Sequence, residues 1–330
     1  MDRLAITIAC SDTDRTRAIM DGRVAIEGCR VTYVPLEPAE TFFRALRHQE
    51  FDVAELSLSS YMRTVDQGNA TYVGIPAFVS RLFRHSSLYI RTDRGITAPQ
   101  DLKGRVIGVP EYQMTAPVWM RAMLDEEYGV APSAIKWRTG GQEQPGRGER
   151  TTLGSIPGVD MEPIAEGKTL SGMLASGEID GLMAARTPSC FKRGAPHVGR
   201  LFPNYHEVEQ AYYKKTGLFP IMHLVGIRKT LAREHPWLPA SVYKAFLEAK
   251  NIAVERMRDV RILPVTLPWL EPYVAAASEL MGGDFWPYGV QENRRALEAF
   301  TRYAHHQGLT SRRLVPEELF AESVLELSKV

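Results

Sequence analysis

Apolar and polar residues alternate in the strand manner from Leu4 to Cys10, and apolar positions recur at helical spacing from Asp14 to Met20. Arg30 to Leu36 is strand-like again, and Pro38 to Gln49 carries Phe42, Phe43 and Leu46 at helical spacing. Asp52 to Leu58 reads as a buried strand and Ser59 to Gln67 as another helix. This alternation predicts βαβ units on a parallel sheet. An apolar run from Tyr72 through Phe78 leads into the basic segment Ser80 to His85, a strand at Ser86 to Arg91 and the turn Thr92-Asp93-Arg94-Gly95. After Asp101-Leu102-Lys103-Gly104 a second series starts, with a strand at Arg105 to Val109 and a helix at Thr115 to Tyr128.

Thr139 to Arg150, with Gly140, Gly141, Gly146 and Gly148, is polar and lacks a strand-to-helix frame, so it reads as a mobile loop rather than a phosphate cradle. Thr169 to Ser176 is expected as a capped helix, Ile179 to Ala185 as a strand, and Leu218 to Ile227 as a strand returning to the first lobe. Pro239 to Asp259 and Glu292 to Gln307 are predicted helices, with Pro264, Pro268, Pro272 and Pro287 punctuating their link. The pattern predicts an α/β protein of two lobes: residues 1–92 and 218–330 as lobe I with the C-terminal helices, and 93–217 as the inserted lobe II. A ligand cleft is expected between the lobes, where loops from the carboxyl ends of strands converge.

With 330 residues and 44% apolar composition the chain is long enough for both lobes. Forty basic and thirty-nine acidic residues leave a formal charge of +1, which excludes a long-range pull toward nucleic acid or an anionic membrane and points to a small-molecule partner. No apolar run reaches the roughly eighteen residues of a membrane span. Met1-Asp2-Arg3 runs straight into the first strand, too early for a secretory h-region, and Cys10, Cys29 and Cys190 are odd in number without C-x-x-C spacing. Both features lead to the expectation of a cytoplasmic protein. No Walker, dinucleotide, H-E-x-x-H or nucleophile-elbow sequence occurs, so nucleotide, zinc-hydrolase and serine-hydrolase readings lack support. Asp12, Glu111 and a histidine could meet in space, but no spacing requires a metal.

The polar strand ends are Cys10-Ser11-Asp12, Ser57-Leu58-Ser59-Ser60, Glu111-Tyr112-Gln113-Met114-Thr115 and Ala184-Ala185-Arg186. Ser59 or Ser60 and Thr115 are natural N-caps; they either simply cap, or turn a helix start toward a ligand carboxylate. Arg81, Arg84 and His85 cluster beside the lobe crossing, and paired guanidinium groups suit a diacid. His223 lies in the apolar run Phe219 to Gly226, where it is either a core histidine or a partly desolvated proton donor. His48, His197, His206, His235, His305 and His306 lack metal spacing and are expected at the surface. The proline-rich segment Leu263 to Pro272 and the helix Glu292 to Gln307 are candidates for a homo-oligomer surface.

Five words of this chain resemble the 4,5-dihydroxyphthalate decarboxylase family, and the likeness spans most of the sequence. They are Ala9-Cys10-Ser11-Asp12 with Asp14-Arg15-Thr16-Arg17, Phe83-Arg84-His85-Ser86 through Gly95, Gly108-Val109-Pro110-Glu111-Tyr112-Gln113, Phe219-Pro220-Ile221-Met222-His223 and Asp284-Phe285-Trp286-Pro287-Tyr288-Gly289. The resemblance implies a type II periplasmic-binding-protein-like fold and cofactor-independent conversion of 4,5-dihydroxyphthalate to protocatechuate and CO2. Each ring hydroxyl of that substrate is para to a carboxylate, so a base on the phenol and an acid at the carbon losing CO2 suffice. On this reading His223 is the acid and Glu111 or His85 the base. Arg81 and Arg84 hold the carboxylates, and Arg186, Asp12, Ser57, Ser59, Tyr112, Gln113 and Thr115 complete the substrate site. The alternative is a non-catalytic binding protein for an aromatic or sulfonated acid.

Overall fold

The alternation read along the chain becomes two mixed sheets in the computed structural model, which describes residues 3–146 and 153–327. The first part of the chain forms β1 (Leu4–Cys10), α1 (Asp14–Met20), β2 (Cys29–Pro35), α2 (Pro38–His48), β3 (Val53–Ser57), α3 (Leu58–Asp66) and β4 (Tyr72–Arg81). There follow β5 (Leu88–Arg91), β6 (Val106–Val109), α4 (Thr115–Tyr128), β7 (Lys136–Thr139), β8 (Asp160–Pro163), α5 (Leu170–Ser176), β9 (Gly181–Met183), α6 (Ser189–Lys192), β10 (Val198–Arg200) and α7 (Tyr205–Thr216). The chain closes with β11 (Ile221–Arg228), α8 (Lys229–Glu234), α9 (Leu238–Arg258), α10 (Leu270–Met281) and α11 (Arg294–His306).

Two units result. The first takes the chain up to Arg81, Ile221–Glu298 and the segment from Leu314; the second takes Leu82–Pro220 and Ala299–Arg313. The crossing therefore falls at Arg81–Leu82 rather than at residues 92–93, because β5 pairs with β9 and β10 in the second sheet. The return falls at Pro220–Ile221, and the stretch Ala299–Arg313 goes with the second unit, where Phe300 and Tyr303 pack on Trp119.

In the first unit the strand order is β2-β1-β3-β11-β4. The expected parallel sheet is corrected to a mixed one: β1 is parallel to β2 and β3, whereas β11, returning from the second unit, runs antiparallel to β3 and β4. Ile8, Val53, Leu56, Ile75 and Leu224 are fully buried in its core. Gly74 is held where a side chain has no room: its N–H donates to Tyr61 Oη (2.8 Å), which donates to Leu319 O (2.6 Å). A Cβ there would lie 2.5 Å from Leu319 O. Gly74→Ala is expected to lower stability by roughly 1–3 kcal/mol, read as a lower urea midpoint; an unchanged midpoint would mean that this backbone contact yields freely.

The second sheet has the order β10-β5-β9-β6-β7-β8, with β5 antiparallel to both neighbours. The short strands β7, β8 and β10 and the helix α7 were not distinguished in the sequence; each strand has only three or four residues, too few to show a period. α4 buries every residue from Thr115 to Leu124, so its apolar run encodes a helix enclosed on all sides. The glycine-rich stretch after Thr139 is not simply a loose loop. Gly140 packs against Ile164 too closely to admit a Cβ, and Gly141 O and Gln142 O accept the N–H groups of Leu170 and Ser171 at the start of α5. Residues 147–150 of that stretch lie outside the described residues. The proline-punctuated link also contains a helix, α10, with Pro272 in its first turn where no N–H is missed.

Candidate active site

His223 sits on β11 directly opposite Ser57 of β3, and Val225 opposite Glu55. In an antiparallel pair these four side chains share one face, so His223 and Glu55 are diagonal neighbours. His223 Nδ1 and Glu55 Oε1 are 2.6 Å apart. Glu55 Oε2 accepts the N–H (2.9 Å) and O–H (2.7 Å) of Ser11 and the Cys10 thiol (3.4 Å) from the end of β1. Burial alone would raise the Glu55 carboxyl; the hydrogen bond and charge of His223, with the two Ser11 donors, outweigh it and hold the group at about 2. Glu55 is thus an anion whose lone pairs are occupied, and it fixes Nδ1–H of the imidazole.

The ring is held on a second side by Phe42 of α2, edge-on at 4.8 Å. The side chain of His223 is 17% exposed against 2% for Glu55, and its Nε2 makes no hydrogen bond among the described residues. The arrangement presents one nitrogen of an oriented imidazole and keeps the carboxylate behind it. Burial and the adjacent Glu55 push the Cys10 thiol well up, which makes it a donor to Glu55 and not a nucleophile.

The same end of the first unit is buttressed by the Asp284–Gly289 word. β4 bulges out of register with β11 around His223. Its carbonyls then receive Trp286 Nε1 at Phe78 (2.9 Å), Gly289 N at Pro76 (2.9 Å) and Arg15 Nε at Val79 (3.2 Å). Arg15 also stacks on Trp286 at 4.2 Å, and buried Lys250 pairs with Asp284 at 2.7 Å. The words around Arg15 and Trp286 therefore meet as a support for the bulge.

The other sequence candidates fall as follows. Ser57, opposite His223, and Ser59, in the first turn of α3, are both buried, with Ser60 Oγ 3.4 Å from Ser57 Oγ. Asp12 is exposed and its carboxylate is taken by Arg17 (2.9 Å). Arg81 donates through Nη2 to Pro287 O (2.7 Å) and to Asn293 Oδ1, contacts that fix the chain after α10. Arg81 and Arg84 belong to different units. In the second unit Arg84 donates to Ala185 O (3.2 Å); burial lowers its guanidinium to about 10, partly offset by Glu209, so it stays charged. His85 is enclosed edge-on by Phe202 and Tyr212, each at 5.3 Å, with Glu209 3.7 Å from Nδ1.

Glu111, Tyr112, Gln113 and Thr115 are all buried between β6 and α4. Tyr112 carries the Arg121 guanidinium on its ring at 3.6 Å and accepts Arg121 Nη2 at its carbonyl (2.7 Å). Arg186 is exposed after β9, and its carbonyl accepts Gln142 Nε2 (3.1 Å). Five of the remaining histidines are exposed and His235 is half-buried. No group of three or more His, Cys, Asp or Glu among the described residues could hold a metal ion. Glu55 itself escaped the sequence reading, although an acid inside the apolar run Val53 to Leu58 is the signal that marks it.

A family model described as an ABC transporter, phosphonate, periplasmic substrate-binding protein matches residues 15–145. The periplasmic aliphatic sulphonate binding protein SsuA of Escherichia coli superposes with a TM-score of 0.53 at 10% identity, covering 98% of this chain and 99% of that one. That likeness speaks for the type II periplasmic-binding-protein fold alone. The 4,5-dihydroxyphthalate decarboxylase of Pseudomonas putida is 45% identical over 214 residues, 65% of this chain and 83% of its own. That of Comamonas testosteroni is 48% identical over 330 residues, the whole of both chains. A bulged strand that aims an oriented histidine, in a chain aligned over its entire length at that identity, places this protein in the 4,5-dihydroxyphthalate decarboxylase family.

Proposed function

We propose that this protein decarboxylates 4,5-dihydroxyphthalate to protocatechuate and CO2 without a cofactor, with His223 as the proton donor. The observation that carries the reading is the His223–Glu55 pair, an imidazole locked by a buried anion with Nε2 left to act. In the reaction the protonated imidazole gives its Nε2 proton to the ring carbon bearing the departing carboxylate, while the para phenol is deprotonated. The carbon–carboxylate bond then breaks, its electron pair returns to the ring, and CO2 leaves. Restored aromaticity replaces the electron sink that a cofactor would supply. The phenolate regains its proton, and His223 is recharged from solvent.

Glu111 or His85 is the base in this reading; Glu111 lies at the carboxyl end of β6, where ligands meet open α/β sheets, and both side chains are buried. Arg84, still charged, and Arg186 are the carboxylate partners; Arg81 is committed to Pro287 and Asn293. Three buried, unbridged cysteines are compatible with work in a reducing cytoplasm. A receptor reading draws on the fold and on the match over residues 15–145, but the decarboxylase names of relatives at 45–48% identity favour the enzyme. Chelator-treated protein given 4,5-dihydroxyphthalate is expected to release CO2 and protocatechuate in equal amounts, and to lose this on boiling. Tight binding with no product, also after divalent metals are restored, would favour the receptor.

A further inference from the structure

Seven of the eleven exposed large hydrophobic residues among the described ones lie between Val260 and Tyr273. Ile262 is 78% exposed, Trp269 and Val260 67%, Tyr273 55% and Leu263 50%. The segment links α9 to α10; α10 packs on α9 and buries Leu270 and Val274, while Trp269 and Tyr273, one helical turn apart, are exposed together. Soluble monomers rarely leave a contiguous apolar strip of this kind in water. Side chains of these sizes, exposed to these fractions, present on the order of 800 Å², about one partner's share of a standard interface.

The flanking charges indicate what covers the strip. Arg256 and Arg258 precede the strip, Arg261 and Glu271 lie within it near its two ends and Glu279 follows it, all exposed; Glu255 and Asp259 also stand at the first end, where Asp259 pairs with Arg261 at 2.8 Å. The first end thus carries three arginines against two carboxylates and the second carries carboxylates alone, so a two-fold axis would set the arginine-bearing end of each copy against the acidic end of the other. An anionic membrane would instead call for a basic polar face, which Glu271 and Glu279 oppose. We propose that the strip Val260–Tyr273 is the surface on which a second copy of this chain docks. The other candidate from the sequence, helix α11, buries its apolar face within the protein through Leu297, Phe300, Tyr303 and Ala304 and contributes no such surface.

Light scattering on the full chain tests this. The wild type is expected at a mass at least twice that of one chain, falling at least twofold in the Ile262→Asp/Trp269→Asp variant. Both positions are exposed, so the far-UV circular dichroism should not change. Val315→Asp, at an exposed apolar residue outside the strip, is expected to keep the wild-type mass. A wild type that stays a single chain at all concentrations, an assembly that survives the paired substitution, or sedimentation of single chains with anionic phospholipid vesicles would each overturn the proposal.

Discussion

Replacing His223 by glutamine is expected to lower kcat about 100-fold or more while leaving substrate binding within about tenfold of the wild type. Glutamine can still donate to Glu55 and fills similar space, but it carries no proton that a ring carbon can take at neutral pH. The loss should therefore appear in kcat and not in KM. His223→Ala should be equally inactive and also less stable, by roughly 3 kcal/mol or more, because it strips a buried carboxylate of its partner. Comparing the two separates proton transfer from structural support. If both variants turn over at near-native rates, the acid is another group and the reading of the site is wrong.

The second large effect is expected at Glu55, a positioning residue 168 positions away from its histidine in the chain. Glu55→Gln preserves shape while removing the carboxylate that accepts Nδ1–H and fixes the ring. We expect a loss of at least about tenfold in kcat with KM kept within about twofold. A variant with merely loosened packing would raise KM as well as lower kcat. The same substitution should change acid unfolding. The folded carboxyl is held at about 2, below its ordinary value of 4.5, so it contributes stability above that ordinary value and loses it as pH falls from about 4.5 toward 2. Up to about 3 kcal/mol is involved. Urea midpoints across that window should slope in the wild type and flatten in Glu55→Gln; identical slopes would place the acid sensitivity elsewhere.

The residues that the sequence singled out and the residues that hold them differ in kind. Desolvation marked His223 from its apolar neighbours alone, and the periodic runs named β1, α1, α4 and α9 to within a residue or two. These are local properties, set by side-chain spacing along a few turns or strand repeats. Pairing is not local. Glu55 meets His223, and Arg81 meets Asn293, only because β11 enters antiparallel and the segment after α10 folds back onto the β4 bulge. β5 joined the second sheet for a similar reason, since a four-residue strand takes its partner from register and not from its own composition. The sequence offers the proline-rich segment Leu263 to Pro272 and the helix Glu292 to Gln307 equally as an oligomer surface; which of them leaves its apolar side chains exposed is visible only in the fold, with Leu270 and Val274 inward. The sequence by itself thus determined the alternating α/β elements and the titratable residue worth watching, because both follow from nearest neighbours. Which carboxylate orients that residue, which arginines are consumed as struts and which apolar surface stays uncovered were decided by the tertiary structure, because each depends on strands and segments brought together from distant parts of the chain.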